Sequence, residues 1–214
     1  MHIAKAEFEA LLRGRIARRS DGPWASPLHL VPKKSEGCRP CGDHHALNSR
    51  TIPNRYPVQN IQDFVHRIYG CRGFSFLNLV KAYTQIPVNP DDVWKTAIIT
   101  LFGLFEFLFM SFGLKNAGQT FQSFIGEVDR GLDFCFVYLG GILVFSCNAD
   151  QHHTHLRLLF QRLDHHGLFV NAPRSTLGAS VVRSLGHEVS SEGTRPPGAS
   201  AHLRLAKLSP THHL

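Results

Sequence analysis

Cys38, Cys41, His44 and His45 put four metal-capable side chains within eight residues. A zinc site normally draws its second ligand pair from much further along the chain, beyond a separating loop, so this cluster lacks the expected spacing. His152, His153 and His155 could hold a transition metal, but no capping fourth ligand accompanies them, and a solvated helix start is the expected reading. Lys34 and Arg39 flank a basic turn; lysine offers phosphate a point charge and arginine a planar fork, although a solvated turn carries the same residue types. Ser26, Ser75 and Ser111 have no nucleophile-elbow context, so hydrolase chemistry is unsupported. The most informative stretch, FCFVYLGGILVFS at Phe134–Ser146, has no reactive side chain at its centre. Two apolar, β-favouring runs flank Leu139-Gly140-Gly141. Gly-Gly there predicts a hairpin turn, because primed turns need positive φ at both central residues.

The elements that must position these residues can be read along the chain. Phe8, Leu11, Leu12 and Ile16 recur at helical spacing and predict a helix over 2–19, stopped by Ser20-Asp21-Gly22-Pro23. Leu28–Val31 is a short strand. Asn60 is a candidate helix cap, with Ile61, Phe64, Val65 and Ile68 on one face. Strands are expected over 74–79, 97–101 and 105–109. Phe121, Phe124, Ile125, Val128 and Leu132 make an apolar stripe on a helix over 116–132. Asp150 is a candidate cap for a helix that buries Leu156, Leu159 and Leu163 and ends at Gly167. A last strand covers 181–189, and 194–214 reads as a loose tail. Helices and strands interleave without a steady βαβ rhythm, which gives α+β.

The 214 residues suffice for one domain with a subdomain and a substantial core. A content of 43% hydrophobic and 18% charged residues is globular, not disordered. The net charge is +7, and residues 1–55 hold 10 Lys/Arg against 5 Asp/Glu, so the front end suits a polyanionic partner or simply a solvated basic face. Five cysteines, Cys38, Cys41, Cys71, Cys135 and Cys147, do not form a secreted disulfide framework. No signal peptide and no apolar run of membrane-spanning length is visible, so no membrane association and an intracellular location, cytoplasm or nucleus, are expected.

Several short blocks fall in a familiar order: Trp24-Ala25-Ser26-Pro27, Val31-Pro32-Lys33-Lys34, Arg39-Pro40-Cys41-Gly42-Asp43, Leu47-Asn48 with Thr51-Ile52-Pro53, Gln85-Ile86-Pro87-Val88, Lys95-Thr96-Ala97-Ile98, Phe112-Gly113-Leu114-Lys115-Asn116-Ala117 with Gln119-Thr120-Phe121-Gln122, Val137-Tyr138-Leu139 and Leu185-Gly186-His187. Each block is weak alone. As an ordered set covering about residues 8–197, the chain resembles the reverse transcriptase domain of gypsy-type LTR retrotransposon polyproteins. The resemblance implies a right-hand polymerase fold reduced to fingers and palm, with a ferredoxin-like palm sheet carrying helices on one face. Fingers would be about 1–55 and 86–116, and palm about 56–85 and 117–193, giving one domain over 1–193. The chain ends about where a thumb would begin.

The resemblance also implies site roles. The family's polymerases join a primer 3′-hydroxyl to a nucleotide α-phosphate with two Mg²⁺ ions held by three aspartates. In this sequence those positions are Asn78, Gly140 and Gly141, with Tyr138 and Leu139 completing the hairpin. The nearest acids are Asp63, Asp91 and Asp92 on one side, and Asp133 and Asp150 on the other. No metal ligand set is retained and no cofactor is expected, although the family uses Mg²⁺. By the same resemblance Lys34 and Arg39 would meet a triphosphate, and Tyr83 would gate the sugar. Phe112, Gly113 and Gln119 would line the nucleotide pocket, and Leu185, Gly186 and His187 would form a primer grip. Tyr83 and Phe112 are read equally well as core aromatics. Phe76, Phe109 and His44-His45 depart from the family's polar, arginine and Tyr-Arg positions, and Arg174 follows an altered Ala172-Pro173. The expectation is a catalytically silent copy with residual affinity for an RNA/DNA primer–template. The alternatives are a protein-interaction module and an active RNA-directed DNA polymerase.

Overall fold

The computed structural model describes residues 2–32, 38–58, 65–184 and 186–196. Helix α1 (His2–Arg13) is shorter than its apolar periodicity predicts. Gly14 and Arg15, the latter at φ 53°, turn the chain back, and Ala17–Arg19 becomes strand β1 instead of helix. The ladder to a later strand, Ala17 opposite Phe107, explains why these residues leave the helix.

A five-stranded sheet forms from β1, β2 (Ser26–Pro32), β3 (Cys38–Gly42), β5 (Ile98–Thr100) and β6 (Gly103–Phe107), in the order β1-β6-β5-β2-β3. Only β2 and β5 run parallel. Phe8 is its keystone: fully buried, with the rings of Phe102, Phe105 and Phe107 at 5.6, 5.0 and 6.2 Å. Short helix α2 (His45–Arg50) follows β3.

The second sheet holds β4 (Gly73–Asn78), β7 (Cys135–Tyr138), β8 (Gly141–Ser146) and β9 (Thr176–Ala179), with α3 (Ala117–Val128) and α4 (Ala149–His165) between them in the chain. The sequence of elements is therefore βαββαβ, and the sheet order β7-β8-β4-β9 is fully antiparallel. This is the ferredoxin-like arrangement expected. One face carries α3 and α4: Phe121 and Ile125 of α3 and Leu159 and Leu163 of α4 bury against Leu77, Val137, Ile142 and Val144. Burying each such side chain contributes about 1.5–3 kcal/mol. The other face, with Phe74, Phe136, Leu143 and Phe145, packs on Val182 and Val189 of a meander β10 (Val181–Ser184), β11 (His187–Ser190), β12 (Gly193–Arg195).

Four further expectations change. The single strand over 181–189 is a hairpin, because Gly186 at φ 73° reverses the chain. Of the tail expected over 194–214, Thr194 and Arg195 pair within β12, and 197–214 lie outside the described residues. The cap of α4 is Asn148, whose side chain accepts from Gln151 N–H at 2.9 Å, and not Asp150. Helix α3 ends at Val128, four residues early, where Asp129 and Gly131 (φ 78°) break the periodicity. The helix expected from Asn60 lies largely outside the described residues; Val65–Ile68 is a 3₁₀ turn.

Candidate functional site

The three positions at which the resemblance expects carboxylates converge. Gly141 opens β8 directly opposite Asn78 of β4 and opposite Tyr138 of β7. Gly140 O accepts from Leu79 N–H at 2.8 Å, which pins the hairpin tip across the end of β4. The turn itself is shifted from the expected one. Its central residues are Leu139 (φ 42°) and Gly140 (φ 94°), and Gly141 belongs to the strand. The Tyr138–Gly141 pairing leaves only two residues for the loop, so Leu139 takes the first left-handed position despite its side chain.

The residues present do not fit a pair of Mg²⁺ ions. Mg²⁺ demands anionic oxygen at near-octahedral geometry, and of these three positions Asn78 alone carries a side-chain oxygen, a neutral amide. The backbone oxygens are engaged: Asn78 O accepts from Asn171 N–H at 2.7 Å and Gly140 O from Leu79. Among the described residues no group of three His, Cys, Asp or Glu could hold a metal ion. The space is also filled. A Cβ on Gly141 would lie 2.7 Å from Phe76 Cζ, and one on Gly140 would lie 2.7 Å from Ala82 Cβ.

Beside the tip stands an aromatic group. Tyr83, in a 3₁₀ turn over Ala82–Gln85, is edge-on to Phe112 at 5.6 Å and to Phe121 at 5.7 Å. Burial, and then neighbouring Tyr138, pushes its phenol above the ordinary tyrosine range. Gly118 at the start of α3 borders this group: a Cβ there would sit 3.7 Å from Leu139 Cδ2 and 4.0 Å from Tyr83 Oη, ordinary contact distances. Phe112 is 37% exposed, so it is not simply core. Gly113 adopts φ 93°, and its carbonyl accepts from Asn48 Nδ2 at 2.7 Å. Asn48 Oδ1 in turn accepts from Lys115 N–H at 2.8 Å, so α2 holds the Phe112–Lys115 loop. The sequence carried Asn48 as part of a motif but gave no sign of this clamping role. Gln119 is half-buried in the first turn of α3.

The remaining positions are less informative. Lys34 and Leu185 lie outside the described residues. Arg39 pairs opposite Val31 in β3. Gly186 forms the turn before β11, and half-buried His187 opens that strand.

Two histidine groups reach into the interior. His44 is 2% exposed, with Nδ1 3.0 Å from Ser26 Oγ and Nε2 3.4 Å from Ser111 Oγ. It packs where a Cβ on Gly42 would strike it at 2.5 Å, and so joins β2, β3 and the loop before Phe112. His45 instead faces solvent and pairs with Asp43. His152 is 4% exposed, not solvated: Nε2 lies 2.7 Å from Ser75 Oγ and Nδ1 2.8 Å from Ser146 Oγ. Burial, and then His155 and His153, lowers its pKa.

With this geometry in place, comparison with known proteins is informative. The family described as Reverse transcriptase (RNA-dependent DNA polymerase) matches residues 31–189. A Retrovirus-related Pol polyprotein from transposon opus of Drosophila melanogaster is 35% identical over 196 residues, covering 88% of this chain and 20% of that protein. A Transposon Tf2-7 polyprotein of Schizosaccharomyces pombe is 32% identical over 200 residues, covering 92% of this chain and 15% of that protein. The chain thus spans a fifth or less of these relatives. Among solved structures, a foamy viral protease-reverse transcriptase in complex with dsDNA superposes with a TM-score of 0.84 at 18% identity, over 92% of this chain and 41% of that one. Its counterpart in complex with an RNA/DNA hybrid gives 0.83 at 19%, over 89% and 26%. The chain belongs to the reverse transcriptase (RNA-dependent DNA polymerase) family, with retrotransposon polyproteins as its relatives.

Proposed function

We propose that this chain is a gypsy-type reverse transcriptase unit of fingers (about 1–55 and 86–116) and palm (about 56–85 and 117–193) that has lost polymerisation and keeps weak affinity for a primer–template. One observation carries the reading: Asn78, Gly140 and Gly141 meet at one end of the β4–β8 pair without a carboxylate between them. Phosphoryl transfer depends on charge stabilisation at the transferring group, and loss of one preorganised electrostatic partner costs about 3–4 kcal/mol of barrier. Three are absent here.

Substrate grip does not depend on those carboxylates. Lys34 and Arg39 carry charges suited to phosphate, and Tyr83, Phe112, Gly113 and Gln119 form the candidate nucleotide pocket. Leu185, Gly186 and His187 are the candidate primer grip. The net charge of +7 favours a polyanion, and the superposed foamy viral structures are complexes with dsDNA and with an RNA/DNA hybrid.

The test is primer extension on an RNA template with Mg²⁺ and with Mn²⁺, alongside hybrid binding across a salt series. The expected result is no extension, with binding that weakens as salt rises because phosphate contacts release counterions. Extension by the unaltered chain overturns the inactive reading. Absence of binding at low salt overturns the residual-affinity reading and leaves protein interaction in its place.

A further inference from the structure

We infer that Phe76 is an aromatic plug coupled to Gly141: the ring occupies the space that any side chain at 141 needs, so the site is closed sterically as well as stripped of charge. The inference rests on the reading of Gly141 as a former carboxylate position, and concerns what now stands there.

The register supplies the first argument. Phe76 faces Leu143 and Asn78 faces Gly141, so Phe76, Asn78 and Gly141 lie on one face of the β4–β8 pair. The ring of Phe76 leans along the strand over Gly141. A Cβ at 141 would meet Cζ at 2.7 Å and Cε2 at 2.8 Å, distances that real Cβ contacts do not show. Rotation about χ2 gives no relief, because Cζ lies on that rotation axis. Only a change in χ1 would move it.

Packing supplies the second argument. Phe76 is half-buried and packs with Tyr138 and Ala179 on the apolar cluster beneath the β10–β12 meander. Swinging χ1 would lift the ring away from that cluster and expose apolar area to water. Gly141 is therefore not a passive loss. It has no positive φ, so the backbone would accept another residue, and the ring is what excludes one. Gly140 differs: its own φ of 94° and the Cβ of Ala82 disfavour a side chain there independently of Phe76.

The experiment is a double-mutant cycle on thermal unfolding with Gly141→Ala and Phe76→Ala, repeated with Phe76→Leu, which withdraws the ring tip while keeping apolar volume. Gly141→Ala alone is expected to lower Tm by several degrees. In either Phe76 background the same change is expected to leave Tm unchanged or raise it, since alanine is favoured over glycine in a strand. Equal losses in all backgrounds would overturn the coupling. A second arm reads Mn²⁺ binding by electron paramagnetic resonance in Asn78→Asp/Gly141→Asp with and without Phe76→Leu. Binding is expected only where Phe76 has been replaced, and equal binding in both would overturn the plug. Failure of the proposed function would appear elsewhere, as primer extension by the unaltered chain, and would leave the thermal cycle unaffected.

Discussion

Leu139 and Gly140 take consecutive positive φ values, 42° and 94°, across the two-residue tip between β7 and β8. Only glycine adopts that region without steric cost, and a leucine there costs about 1–2 kcal/mol. Leu139 is 38% exposed, so the burial of the rest of its side chain offsets part of that cost. Leu139→Asn is expected to stabilise the chain by up to about 1 kcal/mol, because asparagine tolerates the left-handed region. Leu139→Val is expected to destabilise it by at least as much, since a β-branched residue resists that conformation. Urea unfolding of the two variants gives both signs.

The same tip separates what the sequence discloses from what it does not. Two apolar runs around a Gly-rich centre give the hairpin. Which two residues turn is decided by Tyr138 pairing with Gly141, a cross-strand fact. His152 was legible in principle. The stripe Leu156, Leu159, Leu163 extended back one helical turn reaches position 152, and Asn148 as the cap leaves room for that turn. Its polar type pointed to solvent, whereas Ser75 and Ser146 satisfy it inside. Period-2 alternation puts Phe76 on the face of Asn78, but no local pattern reports that its ring crosses to Gly141. β1 and β9 were missed because three- and four-residue strands take their stability from partners far along the chain.

Stability should fall on mild acidification. His44, His152 and His155 all have pKa values lowered from 6.5, in each case first by burial. A neutral buried histidine favours the native state above the unfolded-state pKa. That contribution is lost as pH falls from about 6.5 through the lowered folded values, because the unfolded chain binds the proton first. Asp43 opposes the effect at His44 and the carbonyl of Phe145 opposes it at His155, while His155 and His153 reinforce it at His152. Tm is expected to drop between pH 7.5 and 5.5, and His152→Gln should flatten that slope. A flat profile in the unaltered chain would contradict the assignment.

Divalent cations should leave the fold indifferent. A ligand that binds only the native state stabilises it in proportion to RT ln(1 + [L]/Kd), so an occupied two-metal site would raise Tm. With Asn78, Gly140 and Gly141 at the tip, millimolar Mg²⁺ is expected to give no Tm shift beyond that of a matched monovalent salt. Hybrid binding is likewise expected to survive EDTA. A Mg²⁺-specific rise in Tm would identify a ligand set other than the one at the hairpin.

Gln122 on α3 is 1% exposed, and its Nε2 donates to Val137 O at 3.1 Å, one residue before Tyr138. Its Oε1 is buried without a hydrogen-bond partner among the described residues. The amide thus gains one bond with one end and loses solvation with the other, two effects of about 1 kcal/mol each and opposite sign. Gln122→Met, close in volume, is therefore expected to leave stability within about 1 kcal/mol of the unaltered chain. Gln122→Glu replaces the amide that donates to Val137 O by a carboxylate oxygen and leaves a buried unpaired charge there, a change that costs about 3–5 kcal/mol where it has been observed. The burial would raise that carboxyl's pKa above its unfolded value, so the variant should lose stability as pH rises through neutrality and recover part of it in acid. Opposite pH slopes for the Glu and Met variants in urea unfolding would locate the strain at Gln122 Oε1. Equal slopes would mean that α3 yields at this position and admits water beside Val137.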